Sequence, residues 1–273
     1  MADYTNYTNK EMQAVTIAKQ IKNGQVVTVG TGLPLIGASV AKRVYAPDCH
    51  IIVESGLMDC SPVEVPRSVG DLRFMAHCGC IWPNVRFVGF EINEYLHKAN
   101  RLIAFIGGAQ IDPYGNVNST SIGDYHHPKT RFTGSGGANG IATYSNTIIM
   151  MQHEKRRFMN KIDYVTSPGW IDGPGGRERL GLPGDVGPQL VVTDKGILKF
   201  DEKTKRMYLA AYYPTSSPED VLENTGFDLD VSKAVELEAP DPAVIKLIRE
   251  DRSGAGLYPG PHGSKIRHSG GRI

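Results

Sequence analysis

Apolar residues near the start of the chain first follow a helical repeat and then change to a strand-like run. Four of them recur at intervals of three and four positions: Ala14, Ile17, Ala18 and Ile21. This spacing predicts the buried face of a helix. Thr8 and Glu11 form a Thr-x-x-Glu capping box, which predicts where that helix begins. Residues 25–29 (QVVTV) are a continuous β-branched run and predict a buried strand.

A glycine turn, a second helix and a second strand follow this first strand. The turn contains Gly30, Thr31 and Gly32. A helix is predicted over residues 35–44, and residues 51–53 (IIV) form the next buried strand. The order is that of a βαβ unit, in which the two strands are parallel. We therefore predict an α/β protein with an open, mostly parallel or mixed sheet flanked by helices.

The remaining apolar runs predict further elements of the same fold. Six more strands are expected at residues 86–90, 102–107, 147–151, 164–166, 190–193 and 207–212. Two more helices are expected at residues 218–224 and 242–249.

Two segments do not fit this pattern of elements. Residues 173–188 (GPGGRERLGLPGDVGP) are rich in glycine and proline and are not expected to form regular structure. A segment of this length could be a lid that screens an active site from water, or a plain surface loop. Residues 251–273 contain many glycines and few apolar residues, and we expect a disordered or expression-derived tail. One domain is predicted over residues 1–250.

Composition and charge change this picture by excluding classes of protein. The net charge is +1, whereas a nucleic-acid-binding protein normally carries a basic excess. The basic run Lys155, Arg156 and Arg157 is expected to be a solvated surface. No apolar run approaches the roughly 20 residues that span a bilayer, and the polar N-terminus lacks the pattern of a signal peptide. We expect a cytoplasmic protein that binds neither nucleic acid nor membrane.

The cysteines predict free thiols and no metal site. There are four: Cys49, Cys60, Cys78 and Cys80. Only one residue separates Cys78 from Cys80, beside His77, whereas a zinc site usually needs a wider spacing and a second ligand pair. Buried free thiols are expected, which agrees with a reducing compartment.

The strongest single candidate for chemistry is a carboxylate directly after the second buried strand. Glu54 follows that strand, and ligands bind at the carboxyl ends of strands in open α/β sheets. A carboxylate among apolar neighbours is costly to bury without a partner or a task. By itself, the position also fits a helix N-cap or an ion-paired glutamate.

Two glycine-rich turns could bind anions through their backbone amides. The turn at Gly30, Thr31 and Gly32 precedes a helix, where amides can cradle a phosphate, although no P-loop lysine follows. Residues 134–140 (GSGGANG) offer adjacent unhindered amides, as an oxyanion hole requires. Each turn alone also fits a plain tight turn or a crossover loop.

Taken together and in order, three segments resemble the B subunits of family I CoA-transferases. They are residues 30–34 (GTGLP), 54–56 (ESG) and 134–138 (GSGGA). Further similar segments extend the resemblance from about Thr8 to Glu236. The long segment at residues 173–188 is similar to that of family members that act on glutaconate.

The resemblance implies a function and a set of site residues. Glu54 would be the nucleophile that forms an acyl anhydride and then a thioester with CoA. The amides of Gly137 and Ala138 would stabilise the oxyanions, and the turn at residues 30–32 would contact CoA. CoA would be a substrate, with no tightly bound cofactor. A partner A subunit would complete the site in a hetero-oligomer, and glutaconate is the expected acceptor acid.

Two other functions stay open. Some relatives hydrolyse CoA esters, although the presence of Glu54 favours transfer. Sugar-phosphate isomerases and sensors have a related fold and a similar Gly-Thr-Gly turn. The roles of two further segments are also open. His126 and His127 could contribute to a site or lie on the surface, and residues 116–120 could touch substrate or cap a helix.

Overall fold

The computed structural model describes residues 3–53, 55–61, 71–75, 78–81 and 101–250. Helix α1 spans Asn9–Ala18 and begins at the predicted capping box, in which the Thr8 side chain accepts from the Glu11 amide. Helix α2 spans Leu33–Val40 and continues as a π-helical turn, Ala41–Tyr45. The later helices are α3 (Ala138–Tyr144), α4 (Gly176–Arg179), α5 (Pro218–Glu223) and α6 (Pro242–Glu250).

Fourteen strands lie in the described part of the chain. They are β1 (Val26–Val29), β2 (His50–Val53), β3 (Leu57–Met58), β4 (Cys80–Ile81), β5 (Leu102–Gly107), β6 (Gln110–Ile111), β7 (Val117–Asn118), β8 (Ser121–Ile122), β9 (Thr130–Arg131), β10 (Thr147–Met150), β11 (Pro188–Val192), β12 (Gly196–Phe200), β13 (Met207–Tyr212) and β14 (Val235–Glu236).

Ten of these strands form one sheet in the order β14-β13-β12-β11-β10-β5-β1-β2-β3-β4. The five central strands from β11 to β2 are parallel. The pairings β2-β3 and β3-β4 on one side, and β11-β12 and β12-β13 on the other, are antiparallel, and the edge strand β14 pairs parallel with β13. The prediction of an open, mostly parallel or mixed sheet is confirmed.

Helices cover both faces of the central strands, which is why strands such as β1 are buried throughout. One core cluster joins α1, α2 and α6 to the sheet through residues such as Ile17, Leu35 and Ile245. A second cluster on the other face contains Ile141 of α3 and Val221 of α5. No helix in the described part of the chain is long and apolar enough to cross a membrane.

Several predicted elements differ from those observed. Residues 164–166 form no strand, because this short run contains the half-exposed Val165 and pairs only through an isolated bridge from Ser167 to Val117. Residues 173–188 contain the short helix α4, so the expectation of no regular structure was wrong. The predicted strand at 86–90 and the predicted tail at 251–273 lie outside the described residues.

Candidate active site

The carboxyl ends of the parallel strands meet at one edge of the sheet. Val29 at the end of β1 is paired with Val53 at the end of β2. Met150 at the end of β10 is paired with Gly107 at the end of β5 and with Val192 at the end of β11. We refer to this edge as the carboxyl edge, and to the opposite one as the amino edge. Ligands of open α/β proteins bind at the carboxyl edge.

Glu54, the predicted nucleophile, lies outside the described residues. Its neighbours in the chain, Val53 and Ser55, are described. The register of β1 and β2 places Val53 beside Val29, the residue before Gly30. Strands β1 and β2 therefore end side by side. Glu54 follows one of these ends in the chain, and the first glycine turn follows the other.

A large cleft of about 910 Å³ opens along the carboxyl edge. Its walls are partly apolar, with Leu33, Phe105 and Met150 among the lining residues. Polar lining residues come from the start of α1, from the segment after β10 and from the second residue after β11: Thr8, Asn9, Lys10, Gln13, Gln152 and Asp194. Gly30 and Thr31 also line the cleft, whereas Gly32 does not belong to its lining among the described residues.

A second, smaller cavity of about 230 Å³ brings the two glycine turns together. Gly30 contributes from the first turn, and Gly134, Ser135 and Ala138 contribute from the second. The two segments are about a hundred residues apart in the sequence, so only the fold makes them neighbours. Two of the three segments that carry the family resemblance therefore share one cavity at the carboxyl edge.

The first glycine turn leaves its backbone open on one side. A Cβ atom added to Gly30 or Gly32 would meet no atom within 4 Å. Gly32 has a φ of +85° and is the N-cap residue of α2, without a side-chain cap. This geometry needs glycine and leaves room for a ligand to approach the start of the helix.

The second glycine turn leads into α3. Gly134 and Gly136 have positive φ angles of 91° and 51°, and Gly137 is the N-cap residue of α3. The Ala138 amide already donates to the Ser135 carbonyl at 3.0 Å. No described residue accepts a hydrogen bond from the Gly137 amide, so of the two predicted oxyanion donors Gly137 is the one with an uncommitted N–H.

Side chains behind the second turn hold it in place. The Ser119 hydroxyl donates to the Gly134 carbonyl at 3.3 Å, and the Asn139 side chain donates to the Thr166 carbonyl at 2.8 Å. The Ser119 amide in turn donates to the Thr166 hydroxyl at 2.9 Å. These bonds connect the turn to two other loops, and Ser119 also lines the small cavity.

Most of segment 116–120 is structural. Asn116 donates to Asp112 and to the Ile171 carbonyl, each at 2.7 Å, and Asn118 donates to Gln110 at 2.6 Å. Both asparagines are almost fully buried. The segment leads into strand β8 and caps no helix, and Ser119 lines the small cavity, so its contact with substrate stays a prediction.

A buried histidine supports the wall of the large cleft. His153 follows β10, its amide donates to Asp194 Oδ1 at 2.7 Å, and its ring stacks on Phe158 with centroids 4.0 Å apart. Its Nε2 lies 2.9 Å from the Thr225 hydroxyl. Burial, and secondly the charge of Lys195, lower the pKa of His153 to about 3, so the ring is neutral at pH 7.

Several candidates from the sequence lie away from this edge or on the surface. His126 and His127 are exposed, and their amides are capped by Asp124. In the basic run, Arg156 and Arg157 form ion pairs with Glu154 at the surface, as a solvated segment should.

The cysteines are free, but they are not all buried. Cys49 and Cys60 are buried, and burial raises the pKa of the Cys60 thiol to about 12. Cys78 is half-buried and Cys80 is exposed, so the expectation of buried thiols was wrong for Cys80. Cys80 lies in the short strand β4, whose residues are both exposed. His77 lies outside the described residues. Within the described ranges, no three His, Cys, Asp or Glu side chains are grouped to hold a metal ion.

Segment 173–188 packs at the amino edge, so the lid hypothesis was wrong. The segment leads into the first residue of β11, and the Gly187 carbonyl accepts from the amide of Thr147, the first residue of β10. The Arg177 side chain, 1% exposed, fixes the segment by donating to five backbone carbonyls. These belong to Ala142, Thr143, Pro168, Gly169 and Pro183. None of its residues is among the described lining of either carboxyl-edge cavity.

Some groups at the carboxyl edge carried no signal in the sequence. Gln13 belongs to the helical repeat of α1, yet it lines the large cleft and donates to the Val192 carbonyl at 3.1 Å. Thr28 lies within a β-branched run, yet it lines the small cavity. Only the topology of the sheet brings these residues to the site.

The sequence and the fold of this chain are similar to those of proteins of known function. Residues 10–224 match the coenzyme A transferase family. The chain therefore belongs to the coenzyme A transferase family.

Particular members of the family are closely similar to this chain. It is 96% identical to a chain in the crystal structure of glutaconate coenzyme A-transferase from Acidaminococcus fermentans, with a TM-score of 0.90 over 94% of this chain and 99% of that one. It is 35% identical over 246 residues to the B subunit of 3-oxoadipate CoA-transferase from Pseudomonas knackmussii, covering 89% of this chain and 92% of that protein.

A more distant relative has a different activity in its name. The cholesterol ring-cleaving hydrolase IpdB subunit of Mycobacterium tuberculosis is 25% identical over 252 residues, which cover 89% of this chain and 93% of that protein. Two of these relatives are thus named as subunits of larger enzymes.

Proposed function

We propose that this chain is the nucleophile-bearing subunit of a CoA-transferase that moves CoA from an acyl-CoA such as acetyl-CoA to glutaconate. The observation that carries the proposal is the convergence of both glycine turns on one cavity, beside the strand end that leads to Glu54. The 96% identity to a glutaconate coenzyme A-transferase supports glutaconate as the acid.

In the proposed reaction, Glu54 is a covalent nucleophile. Its carboxylate attacks the thioester carbonyl of the acyl-CoA, and the C–S bond breaks to give a glutamyl anhydride and CoA thiolate. The thiolate then attacks the glutamyl carbonyl, which releases the first acid as a carboxylate and leaves a thioester between Glu54 and CoA. The acceptor carboxylate attacks this thioester, and the same steps run in reverse. Splitting the exchange into such steps requires no ATP.

The glycine turns would stabilise the charge that develops in these steps. Each step passes through a tetrahedral oxyanion, and the amides of Gly137 and Ala138 are the proposed donors. The Gly137 amide is uncommitted among the described residues, and the Ala138 amide becomes available if its bond to Ser135 opens. Loss of one such donor typically costs about 3–4 kcal/mol of transition-state stabilisation. Gly30, Thr31 and Gly32 would contact CoA through the open side of their backbone.

A partner A subunit would complete the site. Relatives named as subunits support a hetero-oligomer of two kinds of chain. CoA would enter and leave as a substrate, with no tightly bound cofactor. We also propose a cytoplasmic location, because the free cysteines of the described ranges fit a reducing compartment.

Steady-state kinetics test this function. The chain, assembled with its A subunit, should convert acetyl-CoA and glutaconate to glutaconyl-CoA and acetate. Double-reciprocal plots at several fixed glutaconate concentrations should be parallel, as a ping-pong mechanism requires. The chain without the A subunit should show little transfer and serves as the control. Release of free CoA without glutaconyl-CoA would identify a hydrolase instead, and turnover of a sugar phosphate alone would identify an isomerase.

A further inference from the structure

A hydroxyl without a partner among the described residues lies at the small cavity. Thr28 lies within β1, is 4% exposed and lines the cavity. No described residue forms a hydrogen bond with its hydroxyl. A threonine hydroxyl that bonds to no protein group is free to donate to a ligand in the cavity.

Thr28 lies deeper in the sheet than the glycine turn. It precedes Gly30 by two residues, which corresponds to about 6.6–6.8 Å along a strand. It is paired with Ile52 of β2, two residues before Glu54. A short linear molecule with one end at the level of Gly30 would reach Thr28 with its other end.

The cavity is polar only through hydroxyls and backbone groups. The hydroxyl-bearing residues of its described lining are Thr28, Ser119 and Ser135, and none of that lining carries a positive charge. Ser119 donates to the Gly134 carbonyl at 3.3 Å, and Ser135 donates to the Gly136 carbonyl at 3.1 Å. Thr28 is therefore the one of the three whose hydroxyl makes no hydrogen bond with any described residue.

We propose that Thr28 determines acid specificity by donating a hydrogen bond to the carboxylate at the far end of a short, linear dicarboxylic acid. The assignment rests on the proposed function, which places the reacting carboxyl group of the acid near Glu54. Hydrogen-bond donors can stabilise a carboxylate without a cation.

The matched variants are Thr28→Val, Thr28→Ser and Thr147→Val, each assembled with the A subunit. Valine keeps the branched shape but removes the hydroxyl, and serine keeps the hydroxyl. Thr147 is also a buried strand residue, 2% exposed, but it lies at the amino edge. Because the Thr28 hydroxyl has no described partner, its removal should leave the thermal midpoint unchanged or raised.

Initial rates are measured with propionyl-CoA as the common donor and with glutaconate or acetate as the acceptor. For Thr28→Val we expect a KM for glutaconate raised roughly ten- to hundredfold, the usual loss when a hydrogen bond to a charged group is removed. The KM for acetate should change less than about twofold, because acetate has no second carboxylate. Thr28→Ser should restore glutaconate binding, and Thr147→Val should behave as the wild type.

The outcomes separate the two proposals. An unchanged KM for glutaconate in Thr28→Val, or an equal loss for both acids, would overturn the role of Thr28 while transfer itself persists. If the wild-type complex transfers no CoA to either acid, the proposed function fails, and the assignment of Thr28 fails with it.

Discussion

Glycine-rich segments lie at both edges of the parallel strands, and they use glycine for opposite reasons. At the carboxyl edge, a Cβ atom added to Gly30 or Gly134 would meet no atom within 4 Å. At the amino edge, a Cβ atom on Gly187 would lie 2.7 Å from the Trp170 ring, and one on Gly184 would clash with Glu178. The first group keeps the backbone open to a ligand, and the second allows chain segments to pack closely.

The two edges also differ in how their polar groups are satisfied. At the amino edge, all three nitrogens of the buried Arg177 guanidinium donate to backbone carbonyls. At the carboxyl edge, the Thr28 hydroxyl and the Gly137 amide have no partner among the described residues. Satisfied groups stabilise a fold, whereas uncommitted donors are available to a substrate.

Arg177→Met should have the largest effect on stability. The change leaves five buried or half-buried carbonyls without this donor, so the free energy of unfolding should fall by roughly 3–5 kcal/mol. Urea unfolding measures this change in the free energy of unfolding. Arg179→Met is the control, because the Arg179 side chain is 56% exposed and its ion pair with Asp172 lies at the surface. If the free energy of unfolding of Arg177→Met fell by less than about 1 kcal/mol, the hydrogen bonds of Arg177 would not be needed for stability.

Gly187→Ala should destabilise the protein without changing the chemistry. The added methyl group would press on the Trp170 ring, and overpacking of this kind typically costs about 1–3 kcal/mol. The thermal midpoint of the complex should fall, while kcat/KM per folded complex stays at the wild-type value. A specific loss of kcat/KM at full stability would place this segment in the active site after all.

Acid should destabilise the carboxyl edge through His153. Its folded pKa of about 3 lies below the unfolded value of about 6.5, so the unfolded chain binds a proton that the folded chain excludes. This contribution is fully present above pH 6.5 and is lost as pH falls towards 3. Between pH 7 and pH 5, the loss of this contribution should lower the free energy of unfolding by about 2 kcal/mol. Urea midpoints across this range should therefore fall more steeply for the wild type than for His153→Gln, and equal slopes would refute the prediction.

Gly30→Ala should have the smallest effect on stability but a clear effect on transfer. Its Cβ atom would meet open space, so the free energy of unfolding should change by less than about 0.5 kcal/mol. The methyl group would occupy the side from which a ligand approaches, and misplacement of the reactants can lower the rate roughly 10²-fold. The kcat/KM values of Gly30→Ala and Gly187→Ala are measured together. If Gly30→Ala keeps the wild-type value, the glycines of the two edges do not differ in function as described.

The sequence predicted the local and periodic features well. The Thr8 and Glu11 capping box depends on residues three positions apart, and the structure contains it. The βαβ unit from β1 to β2 follows from continuous apolar runs around a glycine turn, and both strands are observed. Such signals are local, so no knowledge of tertiary contacts is needed to read them.

Contacts between distant segments could not be predicted in this way. Arg177 reads as a charged residue of a glycine-rich loop, yet it is buried because carbonyls from two other parts of the chain and from its own segment surround it. Thr28 reads as an ordinary strand residue, and only the fold brings it to the cavity that both glycine turns line. The short run at 164–166 has strand-forming residues, but next to it only Ser167 bridges to Val117 of β7, so propensity alone was misleading.

Mass spectrometry of the complex tests the role of Glu54 most directly. The chain and its A subunit are incubated with acetyl-CoA without an acceptor acid, digested and analysed. A mass increase equal to CoA minus water is expected on the peptide that contains Glu54, and it should be absent from Glu54→Gln. A wild-type complex that releases CoA yet never carries this adduct, under any acyl-CoA donor, would contradict covalent transfer through Glu54.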